Sequence, residues 1–109
     1  MKSMISFNAL FKFYRLRAAI PTLSEFGKAL AEEGFAYEDS IFSRWQMGNR
    51  IPNNRNLLVS MLKIFIDRGS ITSLEEANTL LESAGQGYVT DSEGKRLFST
   101  NQSISKKHK

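Results

Sequence analysis

The chain writes one four-residue start signal three times: Thr22-x-x-Glu25, Ser73-x-x-Glu76 and Thr90-x-x-Glu93. In such a capping box a hydroxyl and a carboxylate satisfy backbone N–H groups that the first turn of a helix leaves free. Apolar residues at helical spacing follow each box. Pro21 stands before the first box, and Gly34 and Gly85 close the helices that the first two boxes open. A chain punctuated in this way folds as short helices joined by turns. No alternating pattern long enough for a useful strand competes with it, and "GYVTD" at 87–91 is the one brief extended candidate. No internal repeat is found.

The remaining helices are read from periodicity. In "ISFNALFKFYRLRAAI" (5–20), Phe7, Leu10, Phe11, Tyr14 and Ala18 fall on one face, with Ser6 as a start and Pro21 as a stop. Phe13, Leu16 and Ile20 widen that face, so a helix gripped on more than one side is expected, with Lys12, Arg15 and Arg17 as its basic remainder. The second helix, about 23–33, has Leu23, Phe26, Leu30 and Ala31 as its inner stripe. Gly27 sits inside it at a cost of about 1 kcal/mol against Ala, so close approach of another helix is expected there. A short third helix, about 39–47, buries Ile41, Phe42 and Trp45, with Asp39 as cap and Gly48 as stop. The fourth, about 54–68, starts from Asn53 and carries Leu58, Met61, Leu62 and Phe65, joined by Leu57, Ile64 and Ile66, and Gly69 ends it. The fifth follows Ser73, and a short sixth follows Thr90 and ends near Phe98. From Ser99 the chain reads "STNQSISKKHK", with Ile104 its one apolar residue, and a disordered basic tail is expected at 99–109 beside a domain at 1–98.

Composition narrows the function. The chain has 109 residues and a formal charge of +4, which suits an anionic partner. It has no Cys, so disulfides and thiolate chemistry are excluded, and the reading is cytoplasmic. The apolar runs are too short to span a bilayer, and the N-terminus lacks the apolar block of a secretory signal. The single His, His108, falls in the expected tail, and no carboxylates are spaced for metal binding or acid/base work. The expectation is therefore a protein that is not an enzyme and carries no metal, cofactor or small-molecule ligand.

The run "SRWQMGNRIP" at 43–52 acquires a physical sense in this frame. A helix, a turn and a short second helix make a helix-turn-helix, in which the second helix lies in the DNA major groove. Phe42 and Trp45 anchor that helix to the core. Ser43, Arg44 and Gln46 point elsewhere, Gly48 turns the chain, and Asn49 and Arg50 fall where a phosphate passes. Pro52 stiffens the exit.

The same run resembles the S-R-W-E-x-G-x-R-x-P stretch of Cro/Xre-type DNA-binding domains, the phage-repressor-like helical fold. The resemblance covers roughly residues 7–85 and is strongest at 41–52 and in "NLLVSMLKIF". It implies an all-α bundle of about five helices that binds double-stranded DNA, as a transcriptional regulator in bacteria or their mobile elements. By the motif's pattern Ser40 and Arg44 face bases, Asp39 and Ser43 lie beside them, and Asn49 and Arg50 hold phosphates. Two departures stand out. Gln46 occupies the place of a family Glu that commonly pairs with a basic residue of the first helix. The turn "EEGFAYED" is also longer than the family's tight glycine turn.

Each of these residues has a plainer reading. Arg44 matches the O6 and N7 acceptors of guanine, or is a solvated partner of Glu38. Glu38 and Asp39 cap the helix, or accept from cytosine. Residues 1–56 carry eight basic and five acidic side chains, and residues 57–98 carry four and six. The half with the helix-turn-helix is thus the basic one, but mildly, so a homodimer or a tether in a larger assembly is expected to supplement affinity. The rival reading is a protein-interaction module docking through Phe35, Tyr37 and the acidic entry to the third helix.

Overall fold

Each of the three capping boxes read from the sequence stands at the start of a helix. The computed structural model describes residues 5–106, with side chains as far as Phe98. Its elements are α1 (Phe7–Arg17), α2 (Leu23–Glu32), α3 (Asp39–Met47), α4 (Arg55–Asp67), α5 (Leu74–Ser83) and α6 (Asp91–Lys106), with no strand among the described residues. The Glu25 N–H donates to Thr22 Oγ1 at 3.1 Å, and the Glu76 N–H donates to Ser73 Oγ at 3.1 Å. At α6 the box closes both ways: the Glu93 N–H reaches Thr90 Oγ1 at 3.2 Å and the Thr90 N–H reaches Glu93 Oε1 at 3.0 Å.

One hydrophobic cluster draws on all six helices, from Phe7 to Leu97. α4 runs through its centre, with Leu57, Leu58, Val59, Met61, Leu62, Ile64, Phe65 and Ile66 all buried. A helix that is apolar nearly all round is stable only when other helices surround it. Phe11, Phe26, Phe42 and Trp45 form an aromatic knot that locks α1, α2 and α3 together. Ring centroids are 5.1 Å apart for Phe11–Phe26, 5.3 Å for Phe26–Phe42 and 5.2 Å for Phe42–Trp45, all near edge-to-face. That geometry sets the positive ring edge against a negative face. The packing explains Gly27. A Cβ there would stand 3.0 Å from Phe42 Cε2, so a glycine is what lets α3 lie this close to α2.

Several expectations need correction. Phe13 and Leu16 are exposed, so α1 is gripped on one side, while Ile20 is fully buried. Ala31 is exposed and Ala29 is buried in its place. The cap of α4 is Asn54, whose side chain accepts from the Leu57 N–H at 3.2 Å, and not Asn53. Asp39 is the first helical residue of α3, and Glu38 occupies the cap position without a side-chain cap bond. The stretch 87–90 is irregular rather than extended strand. Among the described residues six helices stand where the resemblance implies about five. α6 runs on to Lys106 instead of ending near Phe98. No glycine or proline follows Gly94 to break it. The last part of the expected tail, 107–109 with His108, lies outside the described residues. No helix among the described residues is long and apolar enough to cross a membrane.

Candidate nucleic-acid interface

α3 has two unlike faces, and the amphipathic spacing of its residues produces them. Phe42 and Trp45 are buried, at 0% and 3% exposure, and Ile41 is half-buried beside them. Asp39, Ser40, Arg44 and Met47 are exposed and Ser43 is half-buried. Positions 40, 43, 44 and 47 recur at helical spacing, so they form one outward stripe. Of the six residues singled out in the sequence, Ser40, Ser43 and Arg44 share this stripe, with Asp39 at its start. Met47, which is not among those six, extends the stripe. It is 68% exposed, and the Ser43 hydroxyl donates to its Sδ at 3.8 Å. Its position four residues after Ser43 is the signal that could have found it.

The other two residues arrive by a turn. Gly48 has φ +83°, a left-handed backbone that side chains with a Cβ resist. The Gly48 N–H donates to the Trp45 carbonyl at 3.2 Å and the Asn49 N–H donates to the Arg44 carbonyl at 2.9 Å. Together these bonds are the Schellman closure that satisfies the free carbonyls of a helix end. The Arg50 N–H also reaches the Arg44 carbonyl, at 3.3 Å. Asn49 and Arg50 are therefore folded back against the end of α3 with both side chains exposed. The turn gathers Arg44, Asn49 and Arg50 at one end of the stripe, and Asp39 marks the other.

Behind the stripe, α3 is tied to α1. Arg15, expected in the basic remainder of the helix, is buried. Its Nη2 donates to Gln46 Oε1 at 2.7 Å and its Nη1 to the Ile20 carbonyl at 2.8 Å. Its Nε–H is buried with no hydrogen-bond partner. Burial lowers the Arg15 pKa from its ordinary value. Arginine still keeps its proton at neutral pH. Gln46 thus meets a basic residue of the first helix through an uncharged amide oxygen.

A shallow groove of about 210 Å³ runs along the flank of α3, lined by Tyr37, Ile41, Trp45, Arg50, Ile51 and Pro52. Tyr37 and Ile51 leave it 42% and 50% exposed. Among the described residues no group of three or more His, Cys, Asp or Glu could hold a metal ion.

No protein-family model matches the chain, and comparison with curated proteins and with solved structures finds no significant match.

Proposed function

We propose that the protein binds double-stranded DNA through α3, as a phage-repressor-like helix-turn-helix module of a transcriptional regulator. The observation that carries this reading is the two-faced α3. Its inner face is locked by Phe42 and Trp45, while on its outer stripe the polar Ser40 and Arg44 are exposed, with Ser43 half-buried between them and Met47 at its end. A helix of about 10 Å diameter with such a stripe fits the major groove. In this reading Arg44 reads a base edge, and Asn49 and Arg50, on the turn beyond the helix, hold phosphates. Asp39 and Ser40 enter the groove first.

Titration against a duplex selected from a random library, and against its scrambled form, separates these roles. Arg44→Ala is expected to lose about 1–3 kcal/mol on the selected duplex and little on the scrambled one. Arg50→Ala is expected to weaken both equally and to reduce the salt slope by about one unit. Equal losses on both duplexes for Arg44→Ala would reduce it to a phosphate anchor.

The flanking groove favours a second reading, a protein-interaction module that takes an apolar side chain between Tyr37 and Ile51. Unchanged duplex binding in both arginine variants, with the fold intact, selects that reading.

A further inference from the structure

Among the described residues Arg15 is a buried cation with no carboxylate against it. Ion pairs do form elsewhere among the described residues, Arg17–Glu76, Arg55–Glu93 and Lys63–Asp67 among them. Arg15 makes its side-chain contact instead with the amide oxygen of Gln46, on the last turn of α3. A glutamate has the same shape as a glutamine. A carboxylate at position 46 would occupy the place of that oxygen and cancel the charge. It would also give the guanidinium the partner that a buried charge normally needs.

We propose that Gln46, by leaving Arg15 uncancelled, lets this buried cation add to the positive potential at the Arg44–Asn49–Arg50 end of α3, so that Arg15 favours polyanion binding without touching the ligand. This rests on the DNA-binding reading. The physical basis is distance and burial. Arg15 is one hydrogen bond from Gln46, the residue before Met47 and the Gly48 turn. A charge inside the protein is screened by salt much less than an exposed one, and the Debye length at 0.1 M salt is about 10 Å. Arg15 also holds the rotation of α3 through Gln46, so it is a positioning residue whose charge acts in addition.

Two variants separate charge from shape. Gln46→Glu keeps the shape and cancels the charge. It is expected to melt no lower than the parent and to bind duplex about threefold to tenfold more weakly at about 50 mM salt, with the gap closing as salt rises. Its salt slope should be shallower by up to about one unit. Arg15→Met removes the cation and adds no anion, and its loss should have the same direction and salt dependence. If Arg15→Met does not fold, Gln46→Glu alone decides. A Gln46→Glu protein that binds as tightly as the parent overturns the proposal, and so does a loss equal at every salt concentration, which marks a change of shape. The parent's own titration and the Arg50→Ala control identify failure of the underlying reading. If the parent does not bind duplex, the DNA reading and this proposal fall together. If the parent binds and only Arg50→Ala loses affinity, the reading stands and the proposal falls.

Discussion

The joint between α1 and α3 and the joint between α4 and α6 are each crossed by one arginine, and the two are electrically opposite. At the first, Arg15 meets a carbonyl and a neutral amide. At the second, Arg55 meets both oxygens of the Glu93 carboxylate, at 3.0 and 2.6 Å, and also donates to the carbonyls of Gln86 and Tyr88. The planar fork of Arg55 matches a carboxylate edge to edge, so the charge is cancelled where it stands. Glu93 also accepts from the Thr90 N–H, so one carboxylate caps α6 and fastens it to α4. The difference separates two uses of a guanidinium. Neutralised, it fastens a helix to the body of the fold. Left without a counterion, it fastens a helix and keeps a charge behind the surface that helix presents.

The largest expected effect tests whether the α1–α3 joint rests on packing more than on Arg15. Trp45 is 3% exposed and stands 5.9 Å from Phe11 and 5.2 Å from Phe42, centroid to centroid. Trp45→Ala should cost about 3–5 kcal/mol in denaturant unfolding, the usual cost of truncating a buried aromatic. A loss below about 1 kcal/mol would move the weight of the joint from the aromatic knot to Arg15.

The α4–α6 joint should fail next, and it should fail in acid. The Arg55 hydrogen bonds, helped by the Thr90 bond, hold the Glu93 pKa down to about 2 from 4.5. A carboxylate depressed in this way contributes stability that is fully present above its unfolded pKa and is lost as pH falls through the folded value. The contribution is therefore intact above pH about 4.5 and gone near pH 2. Arg55→Ala should cost about 1.5–3 kcal/mol at neutral pH, the range for hydrogen bonds to a charged group. Glu93→Gln should melt lower at neutral pH and show a flatter decline between pH 5 and pH 2. An unchanged acid profile in Glu93→Gln would show that other carboxylates govern acid unfolding. The α1–α3 joint contains no carboxylate, so it should contribute no such acid limb.

The smallest effect concerns the turn that carries Asn49 and Arg50. Gly48→Val should cost about 1–2 kcal/mol, because a β-branched residue resists positive φ. A Cβ there stands 3.5 Å or more from its nearest neighbours, the Asn8 side-chain atoms, in ordinary van der Waals contact, so the Cβ itself costs through its conformation. Thermal melting gives the magnitude. A parent-like melting temperature would mean that the Schellman closure does not hold the end of α3.

The sequence laid out much of the candidate site and only part of what supports it. The exposure of Ser40, Arg44, Asn49 and Arg50 follows from the helical period and from Gly48, both of which are local. Gly27 announced a close approach because a mid-helix glycine is costly unless something needs the space. The approach to Phe42 is what it permits. By residue type Met47 carries no such signal, because a single methionine at a helix end belongs to neither the apolar side of Ile41, Phe42 and Trp45 nor the polar set.

What the sequence determined by itself is the set of helices and the starts of the three that open with a capping box, because each such cap is a contact between residues three apart. Thr22 with Glu25, Ser73 with Glu76 and Thr90 with Glu93 meet whenever the first turn forms, whatever surrounds it. Tertiary structure decided which side of each helix is covered. α1 has more apolar residues than one neighbouring surface can bury, so Phe13 and Leu16 were left outside while Arg15, between them in sequence, went in. Arg15 and Gln46 are 31 residues apart, and Arg55 and Glu93 are 38 apart. Such partners are chosen by where α3 and α6 come to rest, and that position is fixed by how side chains from six helices fill one core.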